Sequence, residues 1–282
     1  MTGPAGPVQL VVTDLDGTLW DRDGRIEPAT LEALGALGER GIRVLAATAR
    51  RRRSTAEHFD AYGLTLPMVL LDGSLGWDPS SASWFHRRAF GPGDAGFVLG
   101  EFERAGIEPC VNVGDDRDIV VGPSPSSHPD NVAYLASFCA YGDLSEVVAT
   151  SEVLSFQVYG AAHEAVTPLA TAVNASGRAS ATVHTDIGHG GHACTVRPTG
   201  ADKWDGVLSY CVAAGIDPRH TVAIGDGEND VEMLMRAGWS CAPASASPAA
   251  LAAARAIVAP TGHGGWAQAA RAVLDRWEPA PA

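Results

Sequence analysis

Apolar positions along the first 72 residues alternate between two periods. Val8 to Val12, broken by Gln9, predicts a buried strand, Leu31, Leu34 and Leu37 fall at helical spacing, and Ile42 to Ala47 and Met68 to Leu71 predict two further strands. Short buried strands alternating with helices imply a parallel sheet. The same grammar returns after about residue 192, with a helix near Asp202 to Ala214, a strand at Thr221 to Ile224, a helix near Glu228 to Ala237 and a closing helix after Gly265. The two ends of the chain therefore read as one α/β domain with a Rossmann-like parallel sheet.

The middle reads differently. Strands are predicted at Cys110 to Val113, Asp118 to Val121, Val153 to Tyr159 and Ala181 to Thr185, and helices near Asn131 to Ala140 and His163 to Val173, which makes an α+β insertion. Turn-rich borders, Asp78-Pro79-Ser80-Ser81 and Gly188-His189-Gly190-Gly191, set the expected division: a core of residues 1–79 and 190–282, and an inserted domain of residues 80–189.

Composition narrows the function. The 282 residues carry a net charge of −13, which repels nucleic acid phosphates and anionic membranes at long range, so neither is expected as a partner. No apolar run approaches the roughly 20 residues of a membrane-spanning helix, and Met1-Thr2-Gly3-Pro4 lacks a basic leader. Five cysteines without a CxxC pair suggest neither a disulfide framework nor a cysteine zinc site, and a reducing cytoplasm is expected.

Candidate chemistry begins where the first strand ends, in Thr13-Asp14-Leu15-Asp16-Gly17-Thr18. A strand period of two starts Asp14 and Asp16 on the same side, at the carboxyl edge where open α/β sheets place ligands. Two acids so close raise one pKa or demand a cation, and Mg²⁺ suits carboxylates together with phosphate oxygens. A second acidic set, Gly225-Asp226-Gly227-Glu228-Asn229-Asp230, follows the strand Thr221 to Ile224 and opens a helix; an N-cap accounts for one of these acids and leaves the others unexplained. Thr48 ends a strand, and Lys203 stands at a helix start.

In this order the four segments resemble the haloacid dehalogenase superfamily, whose motifs are DxDGT, a strand ending in Ser or Thr, a Lys, and a late GDxxND. Thirty-two positions separate Asp16 from Thr48, whereas 155 separate Thr48 from Lys203, so the insertion lies between the second and third motifs. That placement, with Asp72-Gly73-Ser74 and Gly262-His263-Gly264-Gly265-Trp266-Ala267, is similar to the Cof-type branch, whose members carry an α/β cap there.

The resemblance implies a Mg²⁺-dependent phosphatase acting on a small phosphate ester, such as a sugar phosphate. Asp14 would attack phosphorus to form an aspartyl-phosphate, and Asp16 would protonate the leaving alcohol and then activate water. Mg²⁺ would sit on the side chains of Asp14 and Asp226 and the backbone carbonyl of Asp16. Thr48 would bind a phosphoryl oxygen, and Lys203 would hold Asp14 and neutralise charge. Asn229 and Asp230 would complete the outer metal shell or orient Lys203, and the pattern leaves both roles open. A mutase or phosphotransferase passing the aspartyl-phosphate to a sugar hydroxyl uses the same residues and stays open, as does a phospho-ligand sensor without turnover.

Two departures stand out. The relatives' Thr-Gly-Arg is here Thr48-Ala49-Arg50, and of the run Arg50 to Arg53, Arg50 is expected on substrate and the rest in solvent. His184, Asp186, His189, His192 and Cys194 match no zinc spacing and read as a polar loop, while Trp77, Trp84 and Phe85 read as packing.

Overall fold

The protein was analysed as a computed structural model that describes residues 6–115, 117–122, 139–185 and 190–276. It forms two compact units, Met1–Arg87 with Asp202–Ala282, and Arg88–Ala201.

The first unit starts with β1 (Leu10–Thr13), every residue of which is buried, as a parallel strand covered on both faces requires. Helix α1 (Pro28–Glu39) opens on a proline at its first turn, where no donor is lost, and buries Ala33, Leu34 and Leu37. Then come β2 (Arg43–Ala47), α2 (Arg52–Ala61), β3 (Met68–Leu70) and the hairpin of β4 (Leu75–Asp78) with β5 (Ser83–Arg87).

The second unit holds α3 (Asp94–Arg104), β6 (Cys110–Val113), β7 (Ile119–Val121), β8 (Ala140–Tyr141), α4 (Leu144–Thr150), β9 (Val153–Ala161), α5 (His163–Ser176), β10 (Ala179–Thr185) and β11 (His192–Pro198). Its sheet runs β10-β11-β9-β6-β7-β8, antiparallel except between β7 and β8. Alternation along β9 explains the layering. Phe156 and Val158 pack with Val98 and Phe102 of α3 and Val166 and Val173 of α5, while Ser155 and Gln157 project to the other face and accept from the Asn112 amide at 3.0 and 3.2 Å.

The chain returns to the first unit with α6 (Lys203–Ala214), β12 (Thr221–Ile224), α7 (Val231–Arg236), β13 (Trp239–Pro243), α8 (Pro248–Ala253), β14 (Ala256–Val258) and α9 (Gly265–Leu274). The sheet order is β14-β13-β12-β1-β2-β3-β4-β5, parallel from β14 to β3 and antiparallel at the β3-β4-β5 edge. Leu10, Val12, Leu45, Val69, Trp204, Val207 and Ala223 fill the core between this sheet and its helices. Because β1 lies between β2 and β12, their carboxyl ends bring the segments after Thr13, Ala47 and Ile224 together.

Several expectations from the sequence change. The unit borders fall at 87/88 and 201/202 instead of 79/80 and 189/190, because Ser83–Arg87 pairs with β4 and His192–Pro198 pairs with β9 and β10. His184 lies in β10, and His192 and Cys194 lie in β11, so these three belong to a hairpin and not to a polar loop; Asp186 and His189 lie outside the described residues. The helix expected over Asn131 to Ala140 also lies outside them up to residue 138, and Ala140 belongs to β8. Among the described residues, no helix is long and apolar enough to cross a membrane.

Candidate active site

The first functional loop begins where the extended backbone of β1 stops at Thr13. Asp14 still donates its N–H to the carbonyl of Ile224, at 2.8 Å, which fixes the carboxyl-bearing residue against β12. A turn follows, in which the N–H groups of Thr18 and Trp20 donate to the Leu15 carbonyl and Gly17 takes a φ of +82°. The period of two therefore does not carry on to Asp16, and the two acids part company. Asp14 is buried; Asp16 is turned toward solvent and toward Arg50.

Asp14 joins a compact charged cluster. Lys203 Nζ donates to Asp14 Oδ1 at 2.6 Å and to Asp230 Oδ1 at 2.7 Å, with the lysine side chain fully buried. A cation in the first turn of a helix opposes the helix dipole, so α6 by itself gains nothing from a lysine there. The two carboxylates explain the placement. Burial alone would lower the lysine's pKa, but Asp14, Asp230 and Asp72 outweigh it and hold the ammonium charged well above its ordinary range.

The second acidic loop folds back on itself. Asp230 Oδ2 accepts the N–H groups of Asp226 and Gly227, each at 2.9 Å, so both oxygens of Asp230 are engaged. Asp226 is steadied instead by the Thr18 hydroxyl, which donates to its Oδ1 at 2.7 Å. A Cβ on Gly17 would lie 2.5 Å from Asp226 Oδ2, which is why the turn after β1 carries glycine there.

One oxygen from each of Asp14, Asp226 and Asp230 lies within 4.8 Å of the others, the one such group of three potential metal ligands among the described residues. Burial raises the Asp14 pKa well above the usual carboxyl range, helped by Asp230, Asp226 and Asp16 and opposed by Lys203. Burial and Asp230 push Asp226 up to about 6. Three carboxyls packed against the single charge of one lysine are short of positive charge, and acceptor-only oxygens at this spacing fit a hard divalent cation.

The remaining expected residues surround this cluster. Thr48, 1% exposed, ends β2 with its Oγ1 accepting the Arg50 N–H at 3.0 Å, and its carbonyl accepts the Asp72 N–H at 3.0 Å. Asn229 is on neither Lys203 nor an acid of the cluster: its amide donates to Asp72 Oδ1 at 2.8 Å. Arg50 is on Asp16, with Nε 2.7 Å from Oδ2 and an Nη 2.7 Å from Oδ1. Of its neighbours, Arg52 and Arg53 are exposed as expected, Arg52 lying 4.9 Å from the Trp77 ring centre, but Arg51 is buried. Trp77 and Trp84 do pack edge to face, as does Phe85 on Tyr210.

Sequence reasoning missed Trp20, whose indole N–H donates to Asp16 Oδ1 at 2.9 Å, and named Asp72 without giving it a role; Asp72 is buried in the left-handed region at φ 51° and ψ 36°. It also missed how the late glycine-rich turn serves the site. Thr261 donates its hydroxyl to the Gly17 carbonyl, and Trp266 Nε1 donates to Thr13 Oγ1 at 2.9 Å, so this turn braces both sides of the Asp14 loop. A Trp four residues after Asp16 carries no motif, and the contacts of the late turn span more than 240 positions.

Comparison with known proteins gives the family. A phosphoglycolate phosphatase of Aeropyrum pernix is 39% identical over 84 residues, 30% of this chain and 35% of that protein. One of Methanopyrus kandleri is 46% identical over 57 residues, 20% of this chain, so the matches span about a third and a quarter of these two relatives' lengths. A 5-amino-6-(5-phospho-D-ribitylamino)uracil phosphatase of Bacillus subtilis is 25% identical over 83% of this chain and 85% of its own. Among solved structures, a haloacid dehalogenase-like hydrolase from B. subtilis superposes with a TM-score of 0.80 at 18% identity, covering 94% of this chain and 99% of that one. A sugar phosphatase of HAD subclass IIB gives 0.76 at 21% identity, covering 94% and 98%. Identities this low carry the fold alone. The model of the haloacid dehalogenase-like hydrolases, however, matches residues 11–269, nearly the whole chain and every segment of the site, and the protein belongs to that family.

Proposed function

We propose that the protein is a Mg²⁺-dependent phosphatase that hydrolyses a small phosphorylated metabolite, such as a sugar phosphate, through an aspartyl-phosphate on Asp14. One observation carries the reading: a buried carboxyl at the end of the central strand shares a single lysine with a second acid and packs beside a third. A site built for structure alone has no use for that excess of negative charge, whereas a site for a divalent cation and a phosphate needs it. Relatives described as phosphoglycolate phosphatases and as a phosphoribitylamino-uracil phosphatase support a small phosphate ester as the substrate class.

In this reading Asp14 supplies the nucleophilic oxygen. The aspartyl-phosphate formed is a mixed anhydride and is itself readily hydrolysed, which splits one hard step into two. Lys203 orients Asp14 and offsets charge as the phosphoryl group arrives. Thr48 donates its hydroxyl to a phosphoryl oxygen. Asp16 gives a proton to the leaving alcohol and later takes one from water. Mg²⁺, held by Asp14 and Asp226, would offset the repulsion between a carboxylate and a phosphate dianion. Asp230, with both oxygens engaged, shapes the Asp226 loop and holds Lys203. The second unit, Arg88–Ala201, would serve as the inserted cap that the resemblance implies.

The test is phosphate release from p-nitrophenyl phosphate and a panel of sugar phosphates, with Mg²⁺ or EDTA, for the wild type and Asp14→Asn. Turnover that needs the metal and vanishes in the variant supports the reading. Folded, metal-loaded protein that releases phosphate from none of these esters overturns it.

A further inference from the structure

Arg50 was expected on the substrate, yet its guanidinium grips the side chain of Asp16. The fork is two-pronged, with Nε on Oδ2 and an Nη on Oδ1, each at 2.7 Å. Trp20 completes the grip from the other side by donating Nε1 to Oδ1 at 2.9 Å. Its ring, 1% exposed, also lies under the guanidinium at 5.3 Å from ring centre to Cζ. Asp16 and Trp20 are further joined through their backbones, where Gly17 N–H donates to the Trp20 carbonyl at 3.0 Å. An aspartate half exposed to solvent would otherwise sample several rotamers; three N–H donors restrict it.

The count of lone pairs matters. Each carboxylate oxygen accepts about two hydrogen bonds, and Oδ1 already takes two, from Trp20 and Arg50. Oδ2 takes one, from Arg50. Among the described residues, one acceptor position on Oδ2 is thus left without a donor.

Resting on the phosphatase reading above, we propose that Arg50, with Trp20, is a positioning residue that presents Asp16 Oδ2 as the base for the second half of the reaction, the hydrolysis of the aspartyl-phosphate. In that step the oxygen of water forms a bond to phosphorus while its proton passes to Asp16 Oδ2. The bond between phosphorus and the Asp14 oxygen breaks, leaving the Asp14 carboxylate and inorganic phosphate. Formation of the aspartyl-phosphate from an ester with a good leaving group asks nothing of this base.

The experiment compares wild type, Arg50→Ala, Arg50→Lys and Trp20→Phe, each Mg²⁺-loaded and checked for an unchanged melting transition, with p-nitrophenyl phosphate. Acid quench and intact mass follow the phosphorylated protein, and a chase with unlabelled buffer gives its decay rate. Arg50→Ala is expected to slow that decay by about tenfold or more, to accumulate phosphorylated protein and to lower kcat and KM together, with kcat/KM falling far less than the decay rate. Arg50→Lys, which keeps the charge but lacks the fork, recovers part of the decay rate, and Trp20→Phe shows a smaller slowing of the same kind. A raised KM with a proportionate fall in kcat/KM and no accumulation would show that Arg50 grips the substrate, and would overturn the proposal. So would variants that decay as the wild type does. Wild-type protein that turns over no ester sinks the phosphatase reading first, and this role with it.

Discussion

Lys203 Nζ donates to Asp14 Oδ1 across 2.6 Å although the two residues stand 189 positions apart. The contact joins the first strand of the sheet to the first turn of the helix that begins after the inserted unit. Stability and chemistry meet in it, because the same ammonium also neutralises Asp230.

Replacing Lys203 by Met should therefore do two separable things. It strands buried carboxyls without their cation, which costs about 3–5 kcal/mol, and it removes the group that orients Asp14. Adding Asp230→Asn to Lys203→Met removes one of the stranded charges, so urea unfolding should recover a substantial part of the loss while phosphate release stays absent. A double variant no more stable than the single one would show that the lysine acts through packing and not through charge.

The acid cluster also predicts a pH dependence with a definite sign. Asp226 is pushed from its ordinary 3.8 to about 6 by burial and Asp230. Between those values the folded protein holds a proton that the unfolded chain has released, so this group's contribution to stability falls as pH rises through the window. On the proposed reading, Mg²⁺ would bind the unprotonated site and stabilise the folded state by mass action. The rise in Tm on adding saturating Mg²⁺ should thus be small at about pH 5 and larger at about pH 7.5. Equal shifts at both values would place the metal away from Asp226.

Much of this was legible in the sequence because it is local. The strand ending at Thr13, the acids after it, the acidic loop after Ile224 and the lysine after the insertion are each short segments whose chemistry shows in a few letters, and the parallel sheet brings strand ends together. What the sequence hid depends on direction and distance. Asp14 and Asp16 look equivalent at a spacing of two, and a turn at Gly17 sends them to different partners. Asp230 reads as one more acid of the second loop, and nothing in the sequence shows that its oxygens also hold Lys203 and the backbone N–H groups of Asp226 and Gly227. The inserted unit's borders were misplaced because glycine and proline mark turns, whereas hairpin pairing at Ser83–Arg87 and His192–Pro198 decides which sheet a strand joins.

Gly17→Ala tests that turn. An L side chain at φ +82° costs about 1–2 kcal/mol, and the new Cβ would stand 2.5 Å from Asp226 Oδ2. The carboxylate can escape by rotating, at the expense of its hydrogen bond from Thr18. Mg²⁺ affinity, followed by the Mg²⁺-dependent Tm shift, should fall by more than the unfolding free energy alone accounts for. An unchanged shift would mean that Asp226 keeps its place.

Asp72 offers a sharper test of stored backbone strain. Its φ of 51° and ψ of 36° lie in the left-handed region, which Asp and Asn tolerate and β-branched residues do not. Its buried carboxylate accepts the Asn229 amide at 2.8 Å and adds to the negative field around Lys203. Asp72→Asn keeps both the backbone preference and an oxygen for Asn229, and it removes one charge from a cluster that has too many. Without Mg²⁺ it should be at least as stable as the wild type. Asp72→Gly fits the backbone but leaves the Asn229 amide without this acceptor, a loss of about 1 kcal/mol. Asp72→Val forfeits both and should lose about 1–3 kcal/mol more. Urea unfolding of the three variants should rank them Asn, Gly, Val from most to least stable. A valine variant as stable as the asparagine one would show that the strained backbone at Asp72 relaxes freely, and that Asp72 places Asn229 without depending on its own conformation.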